Sequence, residues 1–464
     1  MLMRNSGRAG LRGRTQKRPG WALLASWLGA LVLLAAAAAF WLFQWSSQLQ
    51  AVWKQDTANI AAVLIFMGTY LVIAIGKLPG SHMDRAGAAL LGASLMLATG
   101  LLSLDDAYRA IDVDTIALLL GMMIIVANIR LSGFFHVVNN WVVTRAGRPV
   151  LLLTAVILVS GFFSAFLVND AICLALTPLV VDAVKRLRRN PVPYLLAVAM
   201  ASNIGSTATI TGNPQNIMIG SFSQIPYAEF SAALSPIAAV GLSLTLLLIV
   251  LLFPGEFWTR ERSHAQPLAK HVHPALLIKS VGITAVMVAA CFAGQPPAKA
   301  ALISGALLLL TRRVKSEKVY NRIDWTLLLM FMGLFIVVAG FEKAVLTPEV
   351  IHAVGGLHLD RLPLLSLVTA VLSNLVSNVP AVLVLKPFVA SLADPESAWL
   401  TVAMSSTLAG NLTIVGSVAN LIVVQIARTH GVSIGFWDYA KVGAPLTLLT
   451  ISFGVVWLQF MGAG

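Results

Sequence analysis

Two clusters of small polar side chains interrupt sequence that is otherwise apolar. The first begins at Ser164-Ala-Phe-Leu-Val-Asn-Asp170, continues through apolar residues to Pro178, and resumes at Ser202-Asn-Ile-Gly-Ser-Thr-Ala-Thr-Ile-Thr-Gly-Asn-Pro-Gln-Asn216. The second begins at Ser373-Asn-Leu-Val-Ser-Asn-Val-Pro380, continues to Pro387, and resumes at Ser406-Thr-Leu-Ala-Gly-Asn-Leu-Thr-Ile-Val-Gly-Ser-Val-Ala-Asn420. Asn169 aligns with Asn378 and Pro178 with Pro387 at an offset of 209; Thr209 aligns with Thr413, Gly212 with Gly416 and Asn216 with Asn420 at an offset of 204. Ser202, Asn203, Thr207, Thr209, Asn213 and Asn216 offer hydroxyl and amide oxygens together with amide donors. Ser377, Asn378, Asn411, Thr413, Ser417 and Asn420 offer the same set in the second copy. Gly205, Gly212 and Pro214 break a helix and free backbone carbonyls, and hard cations such as sodium prefer oxygen surroundings of this kind. Any one of these side chains could instead be helix–helix glue. As paired clusters they mark a binding site near the middle of a membrane, built from broken helices.

Asp170 is the one acid that falls near mid-membrane. An ionised Asp there costs about 2.5–3.5 kcal/mol on insertion scales, so it faces protein or water and marks an ion or proton path by default. A plainer role is also open: Asn169 or Asp170 could cap a helix starting at Ala171. The two roles are compatible, since a broken helix start attracts anions and an Asp placed there could take up a proton.

The elements that must position these residues are apolar spans. The chain is 58% hydrophobic and 11% charged over 464 residues, where a soluble domain has about 25% charged residues. It is an integral membrane protein. Its net charge of +13 resides mainly in short loops between spans, which is the positive-inside pattern and not a nucleic-acid footprint. Residues 1–20 form a basic tail, and 21–44 form an extra N-terminal transmembrane helix long enough to cross a bilayer. Further apolar segments are expected at 59–78, 86–103, 115–131, 149–168, 171–184, 194–222, 231–253, 274–293, 298–311, 324–341, 361–376, 380–391, 397–426 and 441–461, with interfacial stretches at 132–148 and 342–360.

With a cytoplasmic N-terminus, and with 149–168/171–184 and 361–376/380–391 as hairpins that enter and leave on one side, the basic loops fall in the cytoplasm and the C-terminus lies outside. Lys185-Arg186-Leu187-Arg188-Arg189 is strongly basic, whereas its counterpart Asp394-Pro395-Glu396 is acidic. The two copies therefore face opposite sides. The expected fold is an all-α polytopic membrane protein of two inverted repeats, 59–253 and 274–461, joined by a cytoplasmic linker at 254–273. Each repeat has a re-entrant hairpin and a broken transmembrane helix.

Cys173 and Cys291 both lie in apolar segments and give neither a disulfide framework nor metal spacing. Lys386 lies eight residues beyond Asn378 and is placed to snorkel toward the outer interface. No phosphate loop, zinc spacing or nucleophile elbow is apparent, so an enzyme is not expected, nor any cofactor beyond a coupling ion.

These residues resemble the ion transporter superfamily, which holds divalent anion/sodium symporters, citrate–metal permeases, arsenite permeases and one group of sodium/proton antiporters. Its symporters carry Ser-Asn-Thr at each hairpin tip and Gly-Thr-Pro-Pro-Asn at a broken helix. Here Val168-Asn169-Asp170 and Ser377-Asn378-Val379 stand at the tips, and Gly212-Asn213-Pro214-Gln215-Asn216 stands at the first break. The Asn-Asp tip is closer to the arsenite-permease branch, and the Gly-Asn-Pro-Gln-Asn run is similar to bacterial anion permeases of the citrate-transporter-like group. The similarity covers residues 59–461.

The resemblance implies alternating access by an elevator-like part on a scaffold that commonly forms a homodimer. It implies a sodium site at Asn169, Thr209, Gly212 and Asn216, its mirror at Asn378, Thr413, Gly416 and Asn420, and an anion between the two tips. The expected function is secondary active transport of a small anion, an oxyanion or carboxylate, coupled to Na+ or H+ across the bacterial inner membrane. A Na+/H+ antiporter exchanging at Asp170 and a passive channel are the alternatives. The expected partners are the solute and the lipid bilayer.

Overall fold

The fold is that of a computed structural model that describes residues 50–76, 82–145, 148–258, 272–310, 314–345 and 358–462. The expected N-terminal helix at 21–44 and most of the interfacial stretch at 342–360 lie outside the described residues. The described residues are helical. In chain order the helices are α1 (Gln50–Ile75), α2 (Arg85–Ala98), α3 (Leu104–Ala110), α4 (Val113–Ser132), α5 (Phe134–Arg145), α6 (Pro149–Phe166), α7 (Asn169–Arg186), α8 (Pro191–Ser206), α9 (Pro214–Ser223) and α10 (Tyr227–Leu252). There follow α11 (Pro254–Phe257), α12 (Pro274–Phe292), α13 (Pro297–Leu309), α14 (Ser316–Tyr320), α15 (Trp325–Val345), α16 (Leu362–Val376), α17 (Asn378–Ala390), α18 (Pro395–Ala409), α19 (Val418–Thr429) and α20 (Phe436–Gly462). Short 3-10 turns, Ile210–Gly212 and Ile414–Gly416, separate α8 from α9 and α18 from α19.

Local chemistry sets many of the starts. Proline stands in the first turn of α6, α8, α9, α12, α13, α16 and α18, where its missing N–H has no partner to lose. Asp84 and Asp112 cap α2 and α4 through the N–H groups of Gly87 and Thr115. The helix α15 runs on to Val345, so the first residues of the expected 342–360 stretch belong to it.

Among the described residues, seven helices are long and apolar enough to cross a membrane: those containing 58–75, 113–132, 149–166, 227–252, 274–292, 325–345 and 436–462. Both the exterior and most of the core are apolar, and a cluster of polar side chains is buried within that core. Leu71, Phe162, Ile278, Val286 and Phe460 are exposed, while Asn203, Asn213, Asn216, Asn411 and Asn420 are buried. An apolar exterior with its few polar side chains turned inward is what a bilayer solvent selects.

The packing of the outer helices is reciprocal. The helix α2 packs along α15, and α13 packs along α4. A Cβ added to Gly333 would lie 2.7–2.9 Å from the backbone of Ala89 and Leu90, and one added to Gly121 would lie 2.6–2.8 Å from the backbone of Ala301 and Leu302. Gly333 and Gly121 differ by 212, as do Ala301 and Ala89. Contact of i with j together with j-equivalent with i-equivalent is the pattern of pairing about a two-fold axis. Small residues at both crossings let the backbones approach without a side chain between them. The helices α10 and α20 pack on each other, and α6–α8 and α16–α18 form matching pairs inside this frame.

Candidate functional site

Both hairpins turn within a residue or two. α6 ends at Phe166 and α7 starts at Asn169; α16 ends at Val376 and α17 starts at Asn378. Equivalent serines and asparagines fasten each tip to the neighbouring helix. Ser164 Oγ lies 2.7 Å from Ser202 Oγ, and Ser202 Oγ donates to the carbonyl of Asn169 at 3.2 Å. In the second copy Ser373 Oγ lies 2.6 Å from Asn378 Oδ1 and 3.0 Å from the carbonyl of Ser406. The second tip is strained: Ser377 holds φ 82° and ψ 157°, a region suited to glycine that costs about 1–3 kcal/mol for other residues.

The helix breaks also match. Thr209 and Thr413 are extended, at φ −141°, ψ 162° and φ −136°, ψ 161°. Asn216 Nδ2 donates to the carbonyls of Ser206 (3.1 Å), Thr207 (3.4 Å) and Thr209 (3.0 Å), and Asn420 Nδ2 donates to those of Gly410 (2.7 Å) and Thr413 (3.1 Å). One asparagine per copy thus satisfies carbonyls that the break leaves open. Gly212 lies where a Cβ would meet the Ser206 carbonyl oxygen at 2.2 Å, and Gly416 where one would meet that of Gly410 at 3.0 Å.

The copies are bonded to each other through their breaks. Asn203 Nδ2 donates to Asn411 Oδ1 (2.9 Å) and Asn420 Oδ1 (3.1 Å), while its Oδ1 accepts from Asn169 Nδ2 (3.0 Å) and Ser417 Oγ (3.1 Å). Thr407, the counterpart of Asn203, accepts from Asn213 Nδ2 (3.1 Å) and Gln215 Nε2 (3.0 Å) and donates to Asn216 Oδ1 (3.4 Å). Each copy's central helix therefore holds the other copy's break. Asn411 Nδ2 reaches the carbonyl of Met200 at 3.4 Å, Thr207 Oγ1 that of Asn203 at 3.3 Å, and Thr209 Oγ1 that of Ala165.

A cavity of about 50 Å³ lies between the two tips. Asn169, Asp170, Ser377, Asn378 and Ser417 line it, together with Ile73, Pro214, Gln215, Pro380 and Val418. Ser202, Asn203, Thr207, Thr209, Gly212, Asn213, Asn216, Asn411, Thr413, Gly416 and Asn420 are not among its lining residues; they belong to the breaks and the network behind it. The plainer role for Asp170 needs correction. The helix α7 starts at Asn169 with Val168 at the capping position, Asn169 Oδ1 accepts from the N–H of Asp170 at 2.9 Å, and the Asp170 carboxylate caps nothing. It makes no hydrogen bond or ion pair among the described residues and opens to the cavity.

One charged lining residue escaped the sequence reading. Arg85, at the start of α2, borders the same cavity. Its one sequence signal is a basic residue in a helix's first turn, where the dipole disfavours it. Among the described residues no His, Cys, Asp and Glu cluster could hold a metal ion.

The citrate transporter family (CitMHS) matches residues 70–409. An uncharacterized transporter of Mycobacterium tuberculosis is 30% identical over 434 residues, covering 88% of this chain and 100% of that protein. The silicon efflux transporter LSI3 of Oryza sativa subsp. japonica is 27% identical over 464 residues, covering 84% of this chain and 96% of that protein. The crystal structure of the YdaH transporter of Alcanivorax borkumensis has a similar fold, with a TM-score of 0.57 at 15% identity over 88% of this chain and 98% of its own. The duplicated tips and breaks, the apolar exterior and the match over residues 70–409 agree: the chain belongs to the citrate transporter family and is a multi-pass membrane transporter.

Proposed function

We propose that the protein is a secondary active transporter of a small oxyanion in the bacterial inner membrane, coupled to Na+ or H+. The observation that carries this reading is the meeting of both hairpin tips with the helix starts that follow both breaks, at Pro214-Gln215 and Ser417-Val418, around one small cavity. Its volume of about 50 Å³ exceeds the ~10–15 Å³ that one water needs and falls far short of the ~300–1,000 Å³ of drug-sized pockets. A small inorganic solute suits it better than a tricarboxylate. The name of the rice relative, a silicon efflux transporter, points to the same size class. Reciprocal contacts between the copies, read with the opposite loop charges, support inverted repeats whose axis lies in the membrane plane. Alternating access would follow from exchanging the roles of the two halves.

The test is counterflow in proteoliposomes with silicate, arsenate, phosphate and sulfate, run with and without sodium and pH gradients. Trans-stimulated uptake of one of these is expected; a channel would show none, and uptake independent of both gradients would remove the coupling. A second reading rests on the Asp170 carboxylate, which faces the cavity without a hydrogen-bond partner among the described residues. It makes Asp170 the exchange site of a Na+/H+ antiporter. Asp170→Asn separates the two: an antiporter loses exchange, whereas an oxyanion carrier whose Asp170 only binds the coupling proton keeps counterflow and loses uphill accumulation.

A further inference from the structure

Arg85 borders two spaces. Besides the cavity between the tips, a larger one of about 370 Å³ lies beside it, and the two share Ile73, Arg85 and Ser377. These residues form the partition between them. Among the described residues lining the larger cavity, Arg85 is the only one that carries a charge. Its guanidinium is partly buried and makes no ion pair or hydrogen bond with any described residue. Partial burial takes hydration from a cation without returning a counter-charge, and the first turn of a helix repels it further. Among the described residues, neither helix formation nor packing accounts for an arginine at this place. Both costs are offset when an anion stands against it.

We propose that the larger cavity is a vestibule in which Arg85 captures the oxyanion, and that Arg85 and Ser377 select what passes to the inner cavity. This rests on the oxyanion reading above. A guanidinium presents two parallel N–H groups that match two oxygens of an oxyanion. Ser377, held at φ 82°, adds a hydroxyl at the same partition. Asp170 lies on the inner side of it, so an anion that moves inward is stabilised only once Asp170 carries a proton or a bound cation. Selection by charge at the partition and coupling beyond it are then separate steps.

The test places a cysteine in the vestibule. Val415 lines it and is 70% exposed, so Val415→Cys is made in full-length protein carrying Cys173→Ala and Cys291→Ala. Labelling rates are compared for the sulfonatoethyl and trimethylammonium-ethyl methanethiosulfonates, one anionic and one cationic. The anionic reagent is expected to be favoured with Arg85 present. That preference should fall on the order of 10-fold in Arg85→Gln, as loss of one nearby charge requires, and persist in Arg85→Lys. Sulfate should slow labelling of the parent and not of Arg85→Gln. Leu375→Cys, also exposed and on the same cavity, repeats the measurement if the first variant does not fold. An anion-to-cation rate ratio that is the same with and without Arg85 overturns the proposal. An Arg85-dependent ratio combined with no oxyanion flux in proteoliposomes supports the vestibule and counts against the transport reading instead.

Discussion

Replacing Asn203 with Ala tests the bonding between the two copies most directly. Asn203 is 2% exposed, and its amide makes four side-chain hydrogen bonds, to Asn169, Ser417, Asn411 and Asn420. Three of those partners belong to the second copy. Hydrogen bonds between transmembrane helices average about 0.6 kcal/mol and reach ~1–2 kcal/mol. Four together give about 2–4 kcal/mol, the lower end applying if water enters the space left by the amide. Reversible unfolding in mixed micelles, extrapolated to zero denaturant, measures the loss. Double-mutant cycles then ask whether the bonding is mutual. The pair Asn203/Asn420 and its counterpart Thr407/Asn216 should each show coupling of about 0.5–1.5 kcal/mol. A loss below about 0.5 kcal/mol for Asn203→Ala, or coupling in one cycle and not the other, refutes the reasoning that each copy holds the other's break.

Gly205→Ala should lower stability by about 3 kcal/mol or more, because its Cβ would stand 2.0 Å from the Gly161 carbonyl oxygen; Gly282→Ala, with nothing within 4 Å, should be neutral in the same thermal-shift measurement. Ser377→Gly should raise stability by about 1 kcal/mol by removing a φ of 82° from a residue with a Cβ; no gain would mean the tip is not strained. Lys343 Nζ donates to Asp106 Oδ2 at 2.7 Å, and this bond, aided by Ser103, lowers the Asp106 carboxyl to about 2. A depressed carboxylate contributes stability that is present above the unfolded value of about 3.8 and is lost as pH falls through about 2. Asp106→Asn should therefore differ from the parent above pH ~4 and converge with it near pH ~2, read from thermal unfolding against pH.

Most of the architecture was legible because apolar spans and helix breakers are strong local signals. Pro149, Pro191, Pro274 and Pro297 open helices within three residues of the expected starts. The breaks were visible too, though not their cause. Of the expected breakers Gly205, Gly212 and Pro214, Gly205 stands one residue before the end of α8 at Ser206, whereas Pro214 opens α9 and does not end a helix. The second copy breaks in the same way with Val418 in place of the proline. What the copies share is an extended threonine and an asparagine amide that satisfies the carbonyls behind it.

The candidate site was legible as two motifs and not as a cavity. Composition could not divide Asn169, Asp170, Ser377, Asn378 and Ser417, which line the cavity, from Asn203, Asn213 and Asn216, whose side chains are spent on hydrogen bonds in and between the breaks behind it. The difference lies in which way each side chain points, and for Asn203 and Asn213 that depends on partners about 200 residues away. Arg85 was missed for a related reason. It lies outside both motifs, just before the apolar segment expected at 86–103, and only folding carries it to the tips.

The mutual bonding of the halves bears on how the chain is made. Asn213 leaves the ribosome 194 residues before Thr407, which at about 5–20 residues per second is a wait of roughly 10–40 s. During that interval the newborn N-terminal half sits in or beside the translocon with amides whose permanent partners have not yet been synthesised. A first half that never meets the second would keep those amides unpaired, and this exposes it to quality-control proteolysis. A chain cut between the halves should be rescued by expressing the missing half alongside it, and should be degraded when expressed alone.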